Sequence, residues 1–407
     1  MNILLISRCP PYPLHFGDRL IVYHLARQLA RRKHVIDLIA FSDRFEDIAD
    51  RAHYADLFRQ ITFVSEPPRS SFDYATRLLI PPLRFPNSAE RAWSPAMWNA
   101  IRQHVGANHY DVAHLFGGIQ VYEYAHAVEP LPTVITPYES FSLYLRRVVE
   151  YQGEPDEQPS FQERLADRLK ARLQWNMARR YESWMFNPYR RVTVVSKRDR
   201  EELRALNPAL PVDVIPNGVD LEYFQPKAQR RDPHTLLFTG NYEYAPNVDA
   251  ALRLARDIFP QVQLRFPDAK LWLVGNAPPP ELQALASQAV AVTGHVPDMR
   301  VYLEQASVFV APLRLGAGIK NKLLEALALR LPVVATPLSI DGIAVEDGEH
   351  ALIAETDAGM TAAVLRLFED ADLRDQLGAN GRRLIEQRYS WAQVAEQYEA
   401  LFADVAK

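Results

Sequence analysis

The stretch VAPLRLGAGIKNKLLEALALRLPVVAT contains glycines, lysines and one acid in an order suited to an anion-binding site. Gly316 and Gly318 lie in a short loop after an apolar run, and Lys320 and Lys322 follow at the predicted start of a helix. Loop amides, a helix N-terminus and two ammonium groups can together bind a diphosphate. Glu325 comes one turn later, and its carboxylate can accept hydrogen bonds from the vicinal hydroxyls of a ribose. The pattern therefore predicts a nucleotide-sugar pocket.

A strand, a loop and a helix must position these groups. The apolar run that ends at Pro312 predicts a buried strand, and Pro332–Thr336 predicts a second one. Between them, apolar residues recur at helical spacing and form a core-facing stripe: Leu323, Leu324, Leu327, Ala328 and Leu331. Similar strand–loop–helix units occur in α/β proteins that bind no phosphate, so the stretch alone leaves a phosphate role open. The GxxxxGK[ST] pattern of a P-loop ATPase is absent from the sequence.

The same stretch resembles the donor-site signature of the retaining glycosyltransferases of group 1, or family 4, which share the GT-B fold. The resemblance is carried by the run EALA, which begins at Glu325, and by the run PVVAT, which ends at Thr336. The first glutamate of the family's motif would fall at Ala317, so this chain lacks the acid that usually contacts the donor sugar. Some members of the family instead carry a G-x-G-x-K-x-K loop, which the present sequence matches.

The resemblance implies a nucleotide-diphosphate sugar, UDP- or GDP-linked, as the donor substrate, with no cofactor and no metal. Lys322 and Glu325 are the catalytic candidates on the donor side. The donor-binding residues that the resemblance implies are Gly17, Gly240, Asn241, His295, Val296, Gly316, Ala317, Gly318, Lys320, Lys322 and Glu325. No D-x-D triplet stands out at a strand end, which agrees with the expectation of a metal-independent site.

A second run, VVSKRDREEL followed by VIPNGVDLEYF, resembles the family's crossing from the N-terminal to the C-terminal domain. Its Asn217-Gly218 pair permits a left-handed backbone turn. The resemblance implies an α/β protein with two doubly wound Rossmann-like domains that face each other across a cleft. We expect an acceptor-binding domain at residues 1–222 and a nucleotide-sugar domain at residues 223–385, with a C-terminal helix at residues 386–407 that packs back on the first domain.

The beginning of the chain predicts a βαβ unit. Asn2–Ser7 is a continuous apolar strand, and Val35–Phe41 is the next strand after an amphipathic helix. The loop between the first strand and the helix carries three prolines and then Gly17, at the place where an α/β sheet normally binds its ligand. Gly17 would let the backbone approach a phosphate or the acceptor, and the alternative is a tight turn that needs a glycine.

Two further strands of the first domain bring polar side chains toward the same edge of the sheet. His114 lies in the strand DVAHLF, and Glu139 follows the strand that begins at Thr133. Both are candidates for contact with an acceptor hydroxyl. For His114 the alternative is a core histidine inside a strand, whereas a carboxylate just past a strand end favours a functional role for Glu139.

Composition limits the setting of the protein. A chain of 407 residues suits two domains, and a formal net charge of −4 argues against a nucleic-acid-binding surface along the chain. The only cysteine, Cys9, cannot form an internal disulfide, which indicates a reducing compartment. The sequence predicts neither a signal peptide nor a transmembrane helix, so the expected location is the cytoplasm, with contact at the inner face of the membrane as one alternative.

That alternative depends on a long helix predicted at Phe161–Phe186. Its apolar stripe comprises Leu165, Leu169, Leu173, Met177, Tyr181, Trp184 and Met185. Its other faces are basic, with Arg164, Arg168, Lys170, Arg172, Arg179 and Arg180. A basic amphipathic helix can lie on an anionic bilayer, and it can equally be a packed helix with a solvated face.

These patterns together predict a retaining glycosyltransferase that moves a sugar to an acceptor hydroxyl, in bacterial polysaccharide or glycoconjugate biosynthesis. The acceptor would be a saccharide, a lipid-linked molecule or a small molecule. A sugar-nucleotide epimerase of the same fold and a non-catalytic nucleotide-sugar-binding protein are the alternatives. An NAD dehydrogenase is disfavoured because the first βα loop lacks GxGxxG.

Overall fold

The structure is a computed structural model that describes residues 1–14, 16–68, 70–150, 161–227, 231–316 and 318–407, with the backbone alone at 71–74, 83 and 161–168. The chain divides into two compact units. The first comprises Met1–Pro216 together with Val394–Lys407, and the second comprises Asn217–Gln393. Ala317, predicted as a donor-binding residue, lies outside the described residues.

The first unit is built on a parallel sheet with seven strands among the described residues, in the order β3-β2-β1-β4-β5-β6-β7. The strands are Asn2–Ser7 (β1), Val35–Ser42 (β2), Gln60–Ser65 (β3), Val112–Phe116 (β4), Thr133–Thr136 (β5), Arg191–Val194 (β6) and Val212–Val214 (β7). Both faces of the central strands are buried, as the neighbouring residues Leu4 and Leu5 of β1 show, which explains their continuous apolar sequence.

Helices cover both faces of this sheet. They are Gly17–Arg31 (α1), Asp47–Asp50 (α2), Ser71–Leu78 (α3), Pro95–Ala107 (α4), Phe141–Glu150 (α5), Phe161–Met185 (α6) and Lys197–Leu206 (α7). Serine side chains cap the N-termini of α4 and α7. Ser94 accepts a hydrogen bond from the amide of Met97, and Ser196 accepts one from the amide of Asp199.

The second unit has a six-stranded parallel sheet among its described residues, in the order β10-β9-β8-β11-β12-β13. The strands are Thr235–Thr239 (β8), Lys270–Val274 (β9), Val290–Val292 (β10), Val308–Ala311 (β11), Val333–Ala335 (β12) and Leu352–Ile353 (β13). The helices are Ala245–Arg253 (α8), Phe259–Arg265 (α9), Pro280–Gln283 (α10), Arg300–Gln305 (α11), Asn321–Ala328 (α12), Asp357–Glu369 (α13) and Ala371–Arg388 (α14), with a π-helical segment at Leu254–Ile258 joining α8 to α9. The last helix, Trp391–Val405 (α15), begins in the second unit and continues into the first. The prediction of two doubly wound α/β sheets is confirmed.

The end of the last helix belongs to the first unit. Tyr398 and Phe402 of α15 are buried, and their rings lie 5.3 Å from the ring of His114 in β4. At the surface of the same contact, Arg32 forms ion pairs with Glu396 and Glu399. These apolar and charged contacts fix residues 394–407 on the sheet of the first unit.

The left-handed turn that the Asn217-Gly218 pair permits is not formed. Neither residue adopts a positive φ, and the glycine is needed for a different reason. A Cβ atom on Gly218 would lie 2.8 Å from the backbone nitrogen of Trp391, and the next amide, of Val219, donates to the carbonyl of Tyr389 at 2.7 Å. Gly218 therefore permits a close approach of two backbone segments within the second unit.

No helix among the described residues is long and apolar enough to cross a membrane. The structure also changes the interpretation of α6. Leu169 and Leu173, predicted on its packed stripe, are 57% and 62% exposed. The packed face instead comprises Ala178, Tyr181, Trp184 and Met185 toward the C-terminal end of the helix.

Candidate functional site

The strand order of the second unit creates a crevice between β8 and β11. Counted within the unit, the order is 3-2-1-4-5-6, and the connections leave the first and fourth strands in opposite directions. Open α/β sheets bind ligands at the carboxyl ends of such a strand pair. Gly240 and Asn241 follow β8, and the glycine loop follows β11, so the predicted donor residues meet at this point.

The glycine loop joins β11 to α12. Gly316 and Gly318 adopt φ angles of +117° and +64°, which L-residues with a Cβ atom rarely adopt. Two hydroxyls hold the start of the loop: Thr336 donates to the carbonyl of Leu313 at 2.7 Å, and Ser339 donates to the carbonyl of Ala311 at 2.6 Å. The loop's course is therefore fixed by its glycines and by the end of the neighbouring strand β12.

An exposed ion pair holds the middle of the loop. Both guanidinium nitrogens Nε and Nη2 of Arg314 lie within 3.2 Å of the carboxylate of Asp249 in α8. Because the pair is bidentate, it fixes orientation as well as position. Loop and helix α8 are thus joined across the crevice between β8 and β11.

The two lysines differ in environment. Lys320 precedes α12, is buried, and its Nζ donates to the carbonyl of Gly318 at 2.6 Å. Lys322 lies in the first turn of α12, and its Nζ donates to Oδ1 of Asn247 at 2.7 Å. The same Nζ lies 4.3 Å from the centre of the Phe238 ring. The ammonium groups therefore converge on the loop and on the end of β8.

Burial lowers the pKa of Lys322 to about 7, and the neighbouring charge of Lys320 lowers it further. The carboxylate of Glu325, one turn along α12, opposes the shift. An anion bound beside both ammonium groups would favour the charged form of Lys322 and raise its pKa again. The site has the electrostatic character of an anion pocket.

Glu325 is half-buried, and burial raises its pKa to about 7, against the effect of Lys322. A carboxyl group in this position can accept hydrogen bonds from two hydroxyls when ionised. Its position on the same face of α12 as Lys322 places both groups on one side of the glycine loop, because residues three apart are neighbours on a helix.

Asn247 connects the two edges of the crevice, and the sequence reasoning did not identify it as part of the site. Its Nδ2 donates to the carbonyl of Asn241 at 2.7 Å while its Oδ1 accepts from Lys322. A Cβ atom on Gly240 would lie 3.0 Å from the Asn247 amide group, so the glycine leaves room for it. Asn247 is buried with both ends of its amide hydrogen-bonded, and this burial cannot be read from the sequence.

His295 and Val296 lie on the loop after β10, where His295 is exposed and Val296 is half-buried. The hydroxyl of Thr293 accepts a hydrogen bond from the amide of Gly275 at 3.3 Å, which ties this loop to the end of β9. The loop is therefore at the same carboxyl edge as Gly240, two strands away from β8 and three from β11, which the glycine loop follows.

Asn217 supports the start of α12. Its Nδ2 donates to Oδ1 of Asn321, the first residue of the helix, at 3.0 Å. Asn217 is buried. The PNGVD run, which the sequence identified as a domain crossing, thus also positions the helix that carries Lys322 and Glu325.

In the first unit the corresponding crevice lies between β1 and β4. Gly17 begins α1 at this crevice, after the loop that follows β1. Arg19, one turn into the helix, is buried and donates to the carbonyl of Tyr12 and to the carboxylates of Asp43 and Asp47 at 2.5–2.8 Å. The loop before Gly17 is therefore a fixed structure and not a loose connection.

Glu139 is half-buried and follows β5 directly, so it lies at the carboxyl edge of the first sheet. The residues after it are firmly held. The buried carboxylate of Glu182 accepts hydrogen bonds from the amides of Phe141 and Ser142 at the start of α5, at 2.8 and 3.1 Å. Helix α5 therefore has a fixed beginning next to Glu139.

His114 is in the core of the first unit. It is 1% exposed, its Nε2 lies 2.7 Å from the hydroxyl oxygen of Thr136, and the rings of Tyr398 and Phe402 cover it. Burial lowers its pKa to about 3, so the ring is neutral at physiological pH. This environment supports the packing interpretation of His114 over the catalytic one.

Comparison with known proteins adds an independent finding. A family model described as Glycosyltransferase Family 4 matches residues 20–223, and one described as Glycosyl transferases group 1 matches residues 233–370. The phosphatidyl-myo-inositol mannosyltransferase of Mycobacterium tuberculosis is 31% identical over 207 residues, which cover 47% of this chain and 54% of that protein. The chain thus spans about half the length of the curated relatives it matches.

Two solved structures resemble the whole chain. Sucrose-phosphate synthase from Thermosynechococcus elongatus has a TM-score of 0.71 at 20% identity, covering 99% of this chain and 98% of that one. Anabaena HepE in complex with UDP has a TM-score of 0.65 at 15% identity, covering 99% and 100%. At these identities the comparison shows a shared fold.

Proposed function

This chain belongs to the group 1, family 4 glycosyltransferases, and from that premise we propose that it transfers a sugar from a nucleotide-diphosphate sugar to an acceptor hydroxyl with retention of anomeric configuration. Its two doubly wound units have the GT-B fold. The observation that carries the proposal is the anion pocket at the β8–β11 crevice. Two glycines with positive φ, the start of α12 and the ammonium groups of Lys320 and Lys322 converge there.

Stabilisation of the leaving group is the central chemical role of this pocket. As the bond to the sugar breaks, negative charge develops on the departing diphosphate. Lys322, the loop amides and the N-terminus of α12 are already in place to bind that charge, so little reorganisation is needed during the reaction. Because the pKa of Lys322 is about 7 in the absence of an anion, part of the binding free energy of a diphosphate is used to keep this lysine protonated.

Glu325 is proposed to hold the ribose of the donor nucleotide. Its carboxylate is one turn from Lys322 and can accept two hydroxyl hydrogen bonds when ionised. A diphosphate near Lys322 and a ribose near Glu325 match the order of groups in a nucleoside diphosphate. Retention without a protein nucleophile follows if the acceptor attacks on the face that the diphosphate leaves. Glu139, at the carboxyl edge of the first sheet, is proposed to contact the acceptor hydroxyl.

The comparisons support a nucleotide donor. HepE was solved with UDP, and the mannosyltransferase relative acts on phosphatidyl-myo-inositol by its name. We therefore propose UDP- or GDP-linked sugars as donors and a saccharide, a lipid-linked molecule or a small molecule as acceptor. No metal ion is assigned a role, because the two ammonium groups supply the positive charge that a diphosphate needs.

Product analysis tests the function. The protein is incubated with UDP- and GDP-sugars, with and without saccharide and lipid-linked acceptors, in the presence of EDTA. We expect release of a nucleoside diphosphate that depends on an acceptor, and NMR of the product should show the anomeric configuration of the donor. Conversion of the nucleotide sugar without an acceptor would indicate an epimerase. Binding without any release of nucleoside diphosphate would indicate a binding protein.

A further inference from the structure

The exposed face of α6 carries two leucines among positive charges. Leu169 and Leu173 are 57% and 62% exposed, and they lie one turn apart on the same side of the helix. Arg172, Asn176 and Arg180 share this side, because they follow at the third, seventh and eleventh positions after Leu169. We call this set the outer face of α6. Two large apolar side chains exposed next to each other on one helix face suggest a surface that contacts another molecule or a membrane.

The end of α3 extends the outer face of α6. Leu79, just after α3, is 55% exposed, and its carbonyl accepts a hydrogen bond from Arg180 at 3.4 Å. The leucines of two separate elements are thus presented on one side of the first unit. Single exposed apolar residues are normal on soluble proteins, whereas this surface contains three exposed leucines.

The charge of this helix segment has one sign. Residues 169–180 read LKARLQWNMARR, with Lys170, Arg172, Arg179 and Arg180 as bases and no aspartate or glutamate. All four bases are exposed. The chain as a whole carries slightly more acids than bases, with 50 of the former and 46 of the latter, so this segment is a local excess. A binding partner that matches this segment must carry negative charge and must also accept the aliphatic side chains of the leucines.

We propose that the outer face of α6, with Leu79, docks the first unit on a bilayer that contains anionic lipids. The leucines enter the boundary between headgroups and acyl chains, and the bases bind phosphate headgroups, which is how interfacial helices bind membranes. The opposite side of α6 remains packed in the protein through Tyr181 and Met185. Docking therefore requires no unfolding of the helix.

Vesicle co-sedimentation with the full chain tests this surface, without any nucleotide or acceptor. Vesicles of pure phosphatidylcholine are compared with vesicles that contain phosphatidylglycerol. We expect binding to the anionic vesicles that weakens with added salt. The double variant Arg172→Gln/Arg180→Gln should bind at least about tenfold more weakly, since each base near an anionic surface contributes roughly a fivefold gain. Leu173→Gln should also weaken binding, and this loss should persist at high salt.

A matched control is available on α7, where Lys197→Gln/Arg198→Gln removes the same charge from exposed positions of the same unit. This control should bind vesicles like the wild type. Equal binding to neutral and anionic vesicles, binding by neither, or equal losses in the α6 and α7 variants would overturn the proposal. So would a concentration-dependent dimer that only the α6 variants abolish, since the face would then be covered by a second copy. None of these results depends on transferase activity, so the two proposals fail independently.

Discussion

Lys322 contacts a neutral amide and an aromatic ring in the free protein. Its Nζ donates to Asn247 and lies above Phe238, and the second lysine of the loop is close enough to lower its pKa. An amide and a ring face stabilise a cation less than a carboxylate does. The group is therefore held in position without a carboxylate partner in direct contact, and its protonated form can interact with a bound anion.

The pH dependence of nucleotide binding follows from this residue. The pKa of Lys322 is about 7 in the free protein, and a bound diphosphate must raise it. Between the free and bound values, binding takes up one proton, so affinity is highest below about pH 7 and falls as pH rises, by up to about tenfold per pH unit. Calorimetry of UDP and GDP between pH 6.5 and 9, in buffers of different ionisation enthalpy, measures both the slope and the proton.

Two variants show which residue causes the change of nucleotide affinity with pH. Lys322→Arg keeps a charge that does not titrate in this range, so its affinity should vary little with pH. Glu325→Gln removes the other group whose pKa is about 7, and the slope should remain in this variant. A slope that persists in Lys322→Arg and disappears in Glu325→Gln would show that the carboxyl group, not the lysine, controls the pH dependence.

At the scale of elements, the loop between β11 and α12 depends on backbone conformations that favour glycine. Gly318→Ala places a Cβ atom at φ +64°, which costs about 1–2 kcal/mol of stability. The loop can relieve this strain only by changing the direction of its amides. We therefore expect at least tenfold weaker binding of nucleoside diphosphates, measured by calorimetry, together with a modest loss of stability in urea.

Gly106→Ala is the control for this substitution. Gly106 lies in α4, where a Cβ atom would meet nothing within 4 Å. Alanine there should stabilise the protein by about 0.5–1 kcal/mol and leave nucleotide binding unchanged. If Gly318→Ala bound nucleotides like the wild type, the loop amides could not be part of the phosphate site.

A buried arginine holds two carboxyl-edge segments of the second sheet together. Arg253 pairs with Asp357 at 2.6 Å and donates to the carbonyls of Pro312, after β11, and Glu355, after β13. Arg253→Met leaves two carbonyls without this donor, so we expect a loss of about 3 kcal/mol in the free energy of unfolding. Urea denaturation measures it, and Arg256→Met, an exposed arginine three residues later, should cost less than about 0.5 kcal/mol. Equal effects of both substitutions would rule out this role of Arg253.

The sequence predicts strands and helices well where a single pattern, such as a continuous apolar run, determines the structure. Continuous apolar runs locate the buried parallel strands, and β1 begins and ends where the sequence predicts. Tertiary contacts without a local signal could not be predicted. Gly218 serves a close approach to Trp391, which is distant in sequence, and Leu169 and Leu173 match a core stripe by spacing although the helix packs through another face.

At the scale of the whole molecule, the sequence predicts two doubly wound units because strands and helices alternate twice. The strand orders place the crevices between β1 and β4 and between β8 and β11, and most of the predicted site residues follow one of these strands or begin the next helix. Strand order is not encoded in any local run, so Asn247 and Asn217, which act across it, were missed as site residues. Glu325 and Lys322 were predicted because their spacing within one helix is local.

The central claim is that the β8–β11 crevice binds a nucleoside diphosphate. A thermal-shift panel of UDP, GDP and other nucleoside diphosphates, with EDTA present, measures this most directly, because a ligand that binds only the folded state raises Tm. We expect one nucleoside diphosphate to raise the Tm of the wild type without metal. The rise should be lost in Lys322→Ala and reduced in Glu325→Ala, although both variants stay folded. No shift with any nucleotide, or the same shift in wild type and Lys322→Ala, would contradict the assignment of this site.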